Sequence, residues 1–424
     1  MKYKFLFLLF IIVVTGITLI SATTIHFMMM SGSGARDFVE TVVPMFERET
    51  GIKVKVEFTS WGEGWTKLMA AVASGEGPDV TQVGTTWVGA LQATGAFKDL
   101  TDYIEYFGGP EKFLGGPWKT KGYNGKMYAV PWFADIRALV YRKDLMEKYD
   151  LPNPPETWGD LLYSAIFLKE KGVMEYPVGL RGKGRGHYVG SFLWQNNTDI
   201  ISKDGKKVLL DTEKAFESVK FWADMLSKYK VMSQGLSEMG HSEICVSFFN
   251  NKIAFMYPGP WFVLKVDRKI SEQWLKEGKI GIAPQPGKNR SLRTGFVGGS
   301  NLMIFGNTKN FDAALKWIKF LLRPDIQAIL AEKMFVSPVI KDAYEEEFFK
   351  KEPYAEMWKA FKEVGEKGTH YPIHPAWGSM EVFIPNLITD IFSANANGTL
   401  NDETIKKLLK KYNEELQNIL DSYR

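Results

Sequence analysis

From residue 24 onward the apolar residues switch repeatedly between a spacing of two and a spacing of three to four, and this switching constrains the fold most. Residues 24–30 read as a buried strand. Phe38, Val42, Met45 and Phe46 then fall at helical spacing. Ile52, Val54, Val56 and Phe58 alternate with Lys and Glu, the pattern of a half-buried strand. Trp65, Leu68, Met69 and Val72 mark a second helix, stopped by Gly75-Glu76-Gly77-Pro78. Residues 79–83 read as a short strand, and residues 87–93 open another helix. A β-α-β-α-β order predicts an α/β domain with a mostly parallel sheet. Ligands bind such sheets at the carboxyl ends of the strands. Here those ends lead into Ser31-Gly32-Ser33-Gly34, Thr59-Ser60-Trp61 and Gly84-Thr85-Thr86-Trp87.

Beyond this unit, residues 128–141 form an extended run long enough to cross between domains. Pro152, Pro154 and Pro155 precede a helix for which Thr157 is the expected N-cap. Residues 211–228 read as a helix, and residues 251–256 as a strand broken by Pro258-Gly259-Pro260. A second long extended run, 296–305, contains Gly298-Gly299. In the helix expected over 312–322, Ala314, Trp317, Ile318 and Leu321 share a face. The C-terminal helix carries a stripe of Ile405, Leu408, Leu409, Tyr412, Leu416 and Ile419. Lys406, Lys407, Lys410 and Lys411 lie off that stripe and read as a solvated face. A chain of 424 residues divides into two or three domains. Extended crossings in place of a low-complexity tether suggest a hinge between them.

The first 22 residues have the order of a secretory signal. Lys2 and Lys4 precede an apolar run from residue 5 to 20, and Ser21 and Ala22 follow it. The run is about 16 residues, shorter than the roughly 20 that span a bilayer. The alternative is an uncleaved membrane anchor, because Ile20 stands where a small residue usually precedes the cut. No cysteine follows the run, which argues against a lipid anchor there. The expected location is therefore the periplasm or the extracellular face of the cell membrane. With one cysteine there is no intramolecular disulfide, so the core alone must stabilise the exported chain.

Several function classes fall away. With 53 basic and 49 acidic residues the chain is too balanced to neutralise many phosphates, so no nucleic-acid partner is expected. One Cys and five scattered His do not make a structural zinc site. His370 and His374 are four apart, but Pro372 and Pro375 preclude the helical face a metal pair needs, so no metal is expected. No phosphate-binding Gly-x-x-x-x-Gly-Lys-Ser/Thr loop and no Gly-x-Ser-x-Gly elbow occur, and no cofactor is expected. Gly182-Lys183-Gly184-Arg185-Gly186 reads either as an exposed loop or, with Arg181, as a site for phosphate or carboxylate. Cys245 reads as a small buried hydrophobe.

Aromatic residues make up 14% of the chain, including 13 Trp, more than a core of this size usually needs. Many stand beside turn residues or hydrogen-bonding groups: Ser60-Trp61, Thr86-Trp87, Pro131-Trp132-Phe133, Trp194-Gln195-Asn196, Gly259-Pro260-Trp261 and Ala376-Trp377-Gly378. Packing explains any one of them as well as binding does. As a set they suit a sugar, whose C–H face lies on an aromatic plane while its hydroxyls meet amides, carboxylates and Arg forks.

Four stretches carry a family resemblance. They are Phe46-Glu47-Arg48-Glu49-Thr50-Gly51-Ile52-Lys53-Val54 with Ser74-Gly75-Glu76-Gly77-Pro78-Asp79-Val80, and Tyr128-Ala129-Val130-Pro131 through Tyr141-Arg142-Lys143-Asp144-Leu145. The others are Asn250-Asn251-Lys252-Ile253-Ala254-Phe255-Met256 with Gly259-Pro260-Trp261, and Gly298-Gly299-Ser300-Asn301-Leu302 before Ala313-Ala314-Leu315-Lys316-Trp317. In this order the chain resembles the extracellular solute-binding proteins of carbohydrate ABC importers, the group that includes maltose-binding protein. The resemblance implies an α/β, two-lobed periplasmic-binding-protein fold of type II character, with hinge crossings and an interlobe ligand cleft. It implies one lobe of residues 23–133 plus 300–345 and another of 134–299 plus 346–424. Crossings are implied near 134–138, 297–299 and 345–353, and the lobes are expected to close on ligand.

By position, Trp87, Trp261 and Trp377 resemble the family's stacking aromatics, and Asp135 and Arg137 its polar contacts. Ser33 and Arg36 lie in a loop that often supplies contacts, and Gly298, Gly299 and Ser300 can offer backbone and hydroxyl groups at close approach. Trp194 and Asn196 match a cleft loop, although Asn197-Thr198-Asp199 follows where Gly-Gly-Asp is common. Trp61 and Trp132 complete the candidate set. The implied activity is capture of a sugar or polyol by a monomer that delivers it to membrane permease subunits, without catalysis. Two alternatives stand beside it: a secreted glycoside-active enzyme with a carboxylate pair, and the same scaffold holding an anionic sugar through Arg36, Arg137 or the Arg181–Arg185 loop.

Overall fold

In the computed structural model, residues 23–182 and 187–423 are described. The expected signal (1–22) and most of the glycine-rich loop (183–186) lie outside them. In chain order the strands are β1 (Thr24–Met30), β2 (Lys53–Thr59), β3 (Val80–Gly84), β4 (Val130–Arg137), β5 (Leu139–Arg142), β6 (Val178–Gly179), β7 (Phe255–Met256), β8 (Ile280–Ala283), β9 (Phe296–Ile304) and β10 (Ser337–Pro338). They form a six-stranded sheet ordered β10-β4-β9-β3-β1-β2 and a four-stranded sheet ordered β6-β7-β5-β8.

The parallel sheet expected from residues 24–84 is present, since β1 runs parallel to both β2 and β3. The helices Ala35–Thr50 and Trp61–Ser74 make the crossovers. The first buries Phe38, Val42 and Phe46 and ends at Gly51, whose φ of 71° lets its N–H reach the carbonyl of Glu47. The second starts at Ser60, whose side chain accepts the N–H of Glu63. Strand β2 is the sheet edge, and its Lys and Glu positions keep that edge charged.

The sheet as a whole is mixed, because β9 lies antiparallel between β3 and β4. The reason is the path of the chain. Strand β4 leaves the first sheet at Arg137, Ala138 follows, and β5 begins the second sheet at Leu139. When the chain returns at Phe296 it enters from that same end and must run back along β3 and β4. The sheets thus change hands at Ala138 rather than at residue 134, and before Phe296 rather than after residue 299. Gln285, in the return segment, donates to the carbonyl of Arg137 at 3.0 Å and ties the two passages together. Directly after residues 345–353, the helix Ala355–Lys367 packs on both β4 and β8.

The strand expected over 251–256 shrinks to β7, because Asn251 takes a left-handed φ of 59° after the helix His241–Phe249. Thr157 caps the helix Trp158–Glu170 as expected, in a reciprocal box with Asp160. The helices Glu213–Ser227, Ile384–Ala396 and Asp402–Asp421 pack together. The last buries Ile405, Leu409, Tyr412, Leu416 and Leu420 and leaves its lysines in solvent. Among the described residues no helix is long and apolar enough to cross a membrane.

Candidate ligand-binding cleft

A cavity of about 440 Å³ opens where the two sheets face each other. From the six-stranded sheet it receives the loops after β1, β2 and β3 (Ser31–Ser33, Trp61, Gly84–Thr86) together with parts of β4 and β9. The four-stranded sheet's side contributes Arg181, His241, Trp261 and Lys265. This is the carboxyl-end location the strand order predicts.

Close backbone approach shapes the first wall. Gly34 starts the helix Ala35–Thr50 at a φ of 72°, and a Cβ there would lie 2.0 Å from the carbonyl oxygen of Lys333. Gln82, 1% exposed, accepts the N–H of Met30 and donates to the hydroxyl of Ser300, both at 2.8 Å. It thereby locks β1, β3 and β9 together beneath the cavity. Strand β4 distributes its residues by the period of two: Phe133, Asp135 and Arg137 line the cavity, whereas Trp132, Ala134 and Ile136 are fully buried.

At the centre, Trp261 Nε1 donates to Asp135 Oδ1 at 3.0 Å. Arg137 donates to Asp135 Oδ2 at 2.6 Å, and its guanidinium lies 4.8 Å from the Trp261 ring centroid. His241 sits edge-on to the same ring at 5.2 Å and meets Arg137 through Nε2 at 3.0 Å. The Lys265 ammonium lies 5.4 Å from the ring. Gly259 makes this possible, because a Cβ there would stand 2.5 Å from Trp261 Nε1 and 2.7 Å from Asp135 Oδ1. The result is an indole held by Asp135 and flanked by the donor groups of Arg137 and Lys265.

Of the expected site residues, the cavity gathers Ser33, Trp61, Asp135, Arg137, Trp261, Gly299 and Ser300. Arg36, Trp87, Trp132, Trp194, Asn196 and Trp377 are not among the lining residues. Arg36 is exposed, over the ring of Phe58 at 4.8 Å. Trp87 is 7% exposed beneath Trp61 and Trp65, edge-on to each at 5.5 Å. Trp132 packs in the core against Phe27 and Phe38. Trp377, also fully buried, stacks on Tyr371 at 4.9 Å. Trp194 stacks on Phe296 and donates to Asp199, whose carboxyl burial pushes above its ordinary range. Asn196 donates to the carbonyl of Lys214 and the carboxylate of Glu217. A turn residue beside a tryptophan marks where the backbone bends, not where the ring goes.

Sequence reasoning missed Gln82, Phe133, His241, Lys265, Phe296 and Glu381 at the cavity. Phe133 was recoverable, since the alternation that places Asp135 and Arg137 on one face places Phe133 there too. His241 opens a helix directly after Gly240. Gln82 lies inside a strand with no local signal.

Other candidate features serve the fold. His370 Nδ1 pairs with the carbonyl of Tyr371 at 2.7 Å, and His374 Nδ1 accepts the N–H of Ala376 at 3.1 Å; burial lowers the pKa of both rings. Among the described residues no cluster of His, Cys, Asp or Glu is arranged to hold a metal. A wider groove of about 770 Å³ runs along Glu57, Lys67 and Asp79, but only elements of the six-stranded sheet border it. Two of its carboxylates are already engaged, Glu57 by His26 and Lys67, and Asp79 by Thr308 and the N–H of His26. Cys245 is 1% exposed, and burial pushes its thiol up to about 12. Cys245 is therefore expected to resist an alkylating reagent at mildly alkaline pH in the native protein and to react once guanidinium unfolds it. Native-state labelling followed by mass measurement checks this, and rapid labelling would contradict the buried placement.

Comparisons with known proteins agree with this architecture. A putative binding protein of Brucella abortus is 26% identical over 382 residues, 88% of this chain and 90% of the relative. The diacetylchitobiose-binding protein DasA of Streptomyces coelicolor is 26% identical over 404 residues, 93% of this chain and 90% of the relative. Among solved structures, the sugar-binding protein MalE from Xanthomonas citri superposes with a TM-score of 0.83 at 25% identity, covering 94% of this chain and 98% of that one. The fold is thus that of the two-lobed MalE-type binding proteins. Residues 41–357 match the family described as bacterial extracellular solute-binding protein, and with that match over most of its length the chain belongs to this family.

Proposed function

We propose that this protein captures a carbohydrate, from mono- to oligosaccharide size, or a polyol, in the cleft between its sheets and delivers it to the permease subunits of an ABC importer. The observation that carries this reading is the Trp261 ring, fixed by Asp135 and Arg137 inside a cavity shared by both sheets. An indole held in this way offers an apolar platform bordered by hydrogen-bonding groups, which is what a sugar ring requires. The diacetylchitobiose-binding relative and the sugar-binding structural neighbour support the same ligand class. A volume of about 440 Å³ favours the mono- to disaccharide end of the range.

In this reading the six-stranded sheet with its helices is one lobe, and the four-stranded sheet with the C-terminal helices is the other. Ala138, residues 284–295 and the helix Ala355–Lys367 form the hinge. The protein works as a monomer outside the cytoplasmic membrane, and it transports without catalysis. Asp135, bound to both Arg137 and Trp261, is already committed to holding the site together.

The test is thermal unfolding of the chain without residues 1–22 against neutral sugars, polyols, uronic acids, sugar phosphates, amino acids and short peptides. A ligand at about 100 times its dissociation constant adds about 2.7 kcal/mol and raises the midpoint. A shift confined to sugars or polyols, with no product released from glycosides, is the expected result. A shift with amino acids or peptides alone, or turnover of a glycoside, would overturn the reading.

A further inference from the structure

Resting on the carbohydrate reading above, we propose that the sugar this cleft takes is an acidic one, with a carboxylate or phosphate group that meets Lys265 and Arg137 beside Trp261.

Charged residues of both signs line the cavity. Arg137, Arg181 and Lys265 are cations, and Asp135 and Glu381 are the carboxylates. Asp135 is spent internally: one oxygen takes the guanidinium of Arg137 and the other takes the indole N–H of Trp261. Lys265 reaches no carboxylate within ion-pair distance among the described residues, and its ammonium rests 5.4 Å from the Trp261 ring. Arg137 rests 4.8 Å from the same ring, so two cations share one indole. An anion placed beside the ring would meet both cations.

Hydrogen-bonding capacity gives the same answer. A neutral sugar hydroxyl both donates and accepts, so a cleft built for it presents free acceptors as well as donors. Here the side chains around Trp261 are rich in donors. Arg137 is 7% exposed, and its Nε is buried without a hydrogen-bond partner. Across the cavity, the helix Ala35–Thr50 begins next to Ser33 with no side-chain cap; the carbonyl of Gly32 takes the N–H of Ala35, and the positive end of the helix lies toward that loop. Lysine, arginine and backbone N–H groups cannot accept a proton in a hydrogen bond. A carboxylate or phosphate, which accepts through several oxygens, completes such a site.

The experiment is titration calorimetry of the chain without residues 1–22 with paired probes. Galactose and glucose are compared with galacturonate, glucuronate and glucose 6-phosphate, for the wild type and for Lys265→Met. The acidic probe is expected to bind about tenfold or more tightly than its neutral counterpart, the scale of one charge-assisted hydrogen bond over a neutral one. That advantage is expected to shrink in Lys265→Met and as salt is raised, since salt screens the attraction. Salt dependence is read on the wild type, so the outcome does not depend on how well the variant folds. Binding of the uronates alone names a carboxylate ligand, and binding of glucose 6-phosphate alone names a phosphate. A neutral sugar that binds as tightly as its acid overturns the inference and leaves the carbohydrate reading standing. An acid preference that survives intact in Lys265→Met overturns the assignment to Lys265. Failure of all five probes overturns the inference, and the carbohydrate reading is then decided by the wider melting panel.

Discussion

Trp261→Ala is expected to weaken ligand binding by about 2 kcal/mol or more, roughly a thirtyfold rise in the dissociation constant, while the protein still folds. The indole is only partly buried, so its removal opens space at the cavity wall and not a void in the core. What is lost is positional. Asp135 Oδ1 loses its 3.0 Å bond from Nε1, and Arg137, Lys265 and His241 lose the ring against which each is placed. A ligand would then have to order side chains that the native cleft holds in advance, and that ordering entropy comes out of affinity. Trp261→Phe separates the two contributions, because it keeps a ring for the cations and the ligand but removes the bond to Asp135. An intermediate loss is expected for it. Calorimetry with the sugar that shifts the melting curve measures both variants, and an affinity unchanged in Trp261→Ala would remove this residue from the site.

The parts of the molecule that were legible in the sequence are those where periodicity carries the information. Strands β1 to β3 and their crossover helices follow from a repeat of two giving way to a repeat near 3.6, and the loops at their carboxyl ends follow from strand order. Asp135 and Arg137 entered the candidate set through the family resemblance, by their position on the first extended run. Trp132 shows the limit. It differs from Phe133 by a single position, and one position on a strand reverses the face. A register shift between Pro131 and Phe133, invisible in the sequence, accompanies that choice. Trp194 and Trp377 fail for a different reason: whether an aromatic ring beside a turn packs on Phe296 or Tyr371, or faces a cavity, depends on elements distant in sequence. The antiparallel run of β9 likewise depends on where the chain re-enters the first sheet. Lys265 and His241 enter the site only because β7 and the segments around it stand opposite β4, a relation that no local pattern encodes.

Gly299→Ala tests the backbone on which this geometry depends, and the expected cost is about 3–5 kcal/mol of stability. Gly299 lies within β9 with a φ of 135°, a conformation that side chains rarely adopt and that alone carries a strain of about 1–3 kcal/mol. A Cβ at this position would stand 2.2 Å from the carbonyl oxygen of Phe133 and 2.8 Å from the Cα of Ala134. Both obstructing atoms are backbone, so neither can swing aside as a side chain would. The only relief is to separate β9 from β4 where Ala134 pairs with Gly299 and Asp135 with Gly298. That separation would move Phe133 and Asp135, and with Asp135 the groups anchored to it, so ligand affinity should fall along with stability. Gly75→Ala is the control: its φ of 69° also disfavours a side chain, but nothing lies within 4 Å of the added carbon. It should cost about 1 kcal/mol and leave binding unchanged. Denaturant unfolding of the two variants, with calorimetry alongside, distinguishes conformational strain common to both from the collision peculiar to Gly299. Equal losses in the two would mean that β4 and β9 do not approach as closely as the pairing through Gly299 requires.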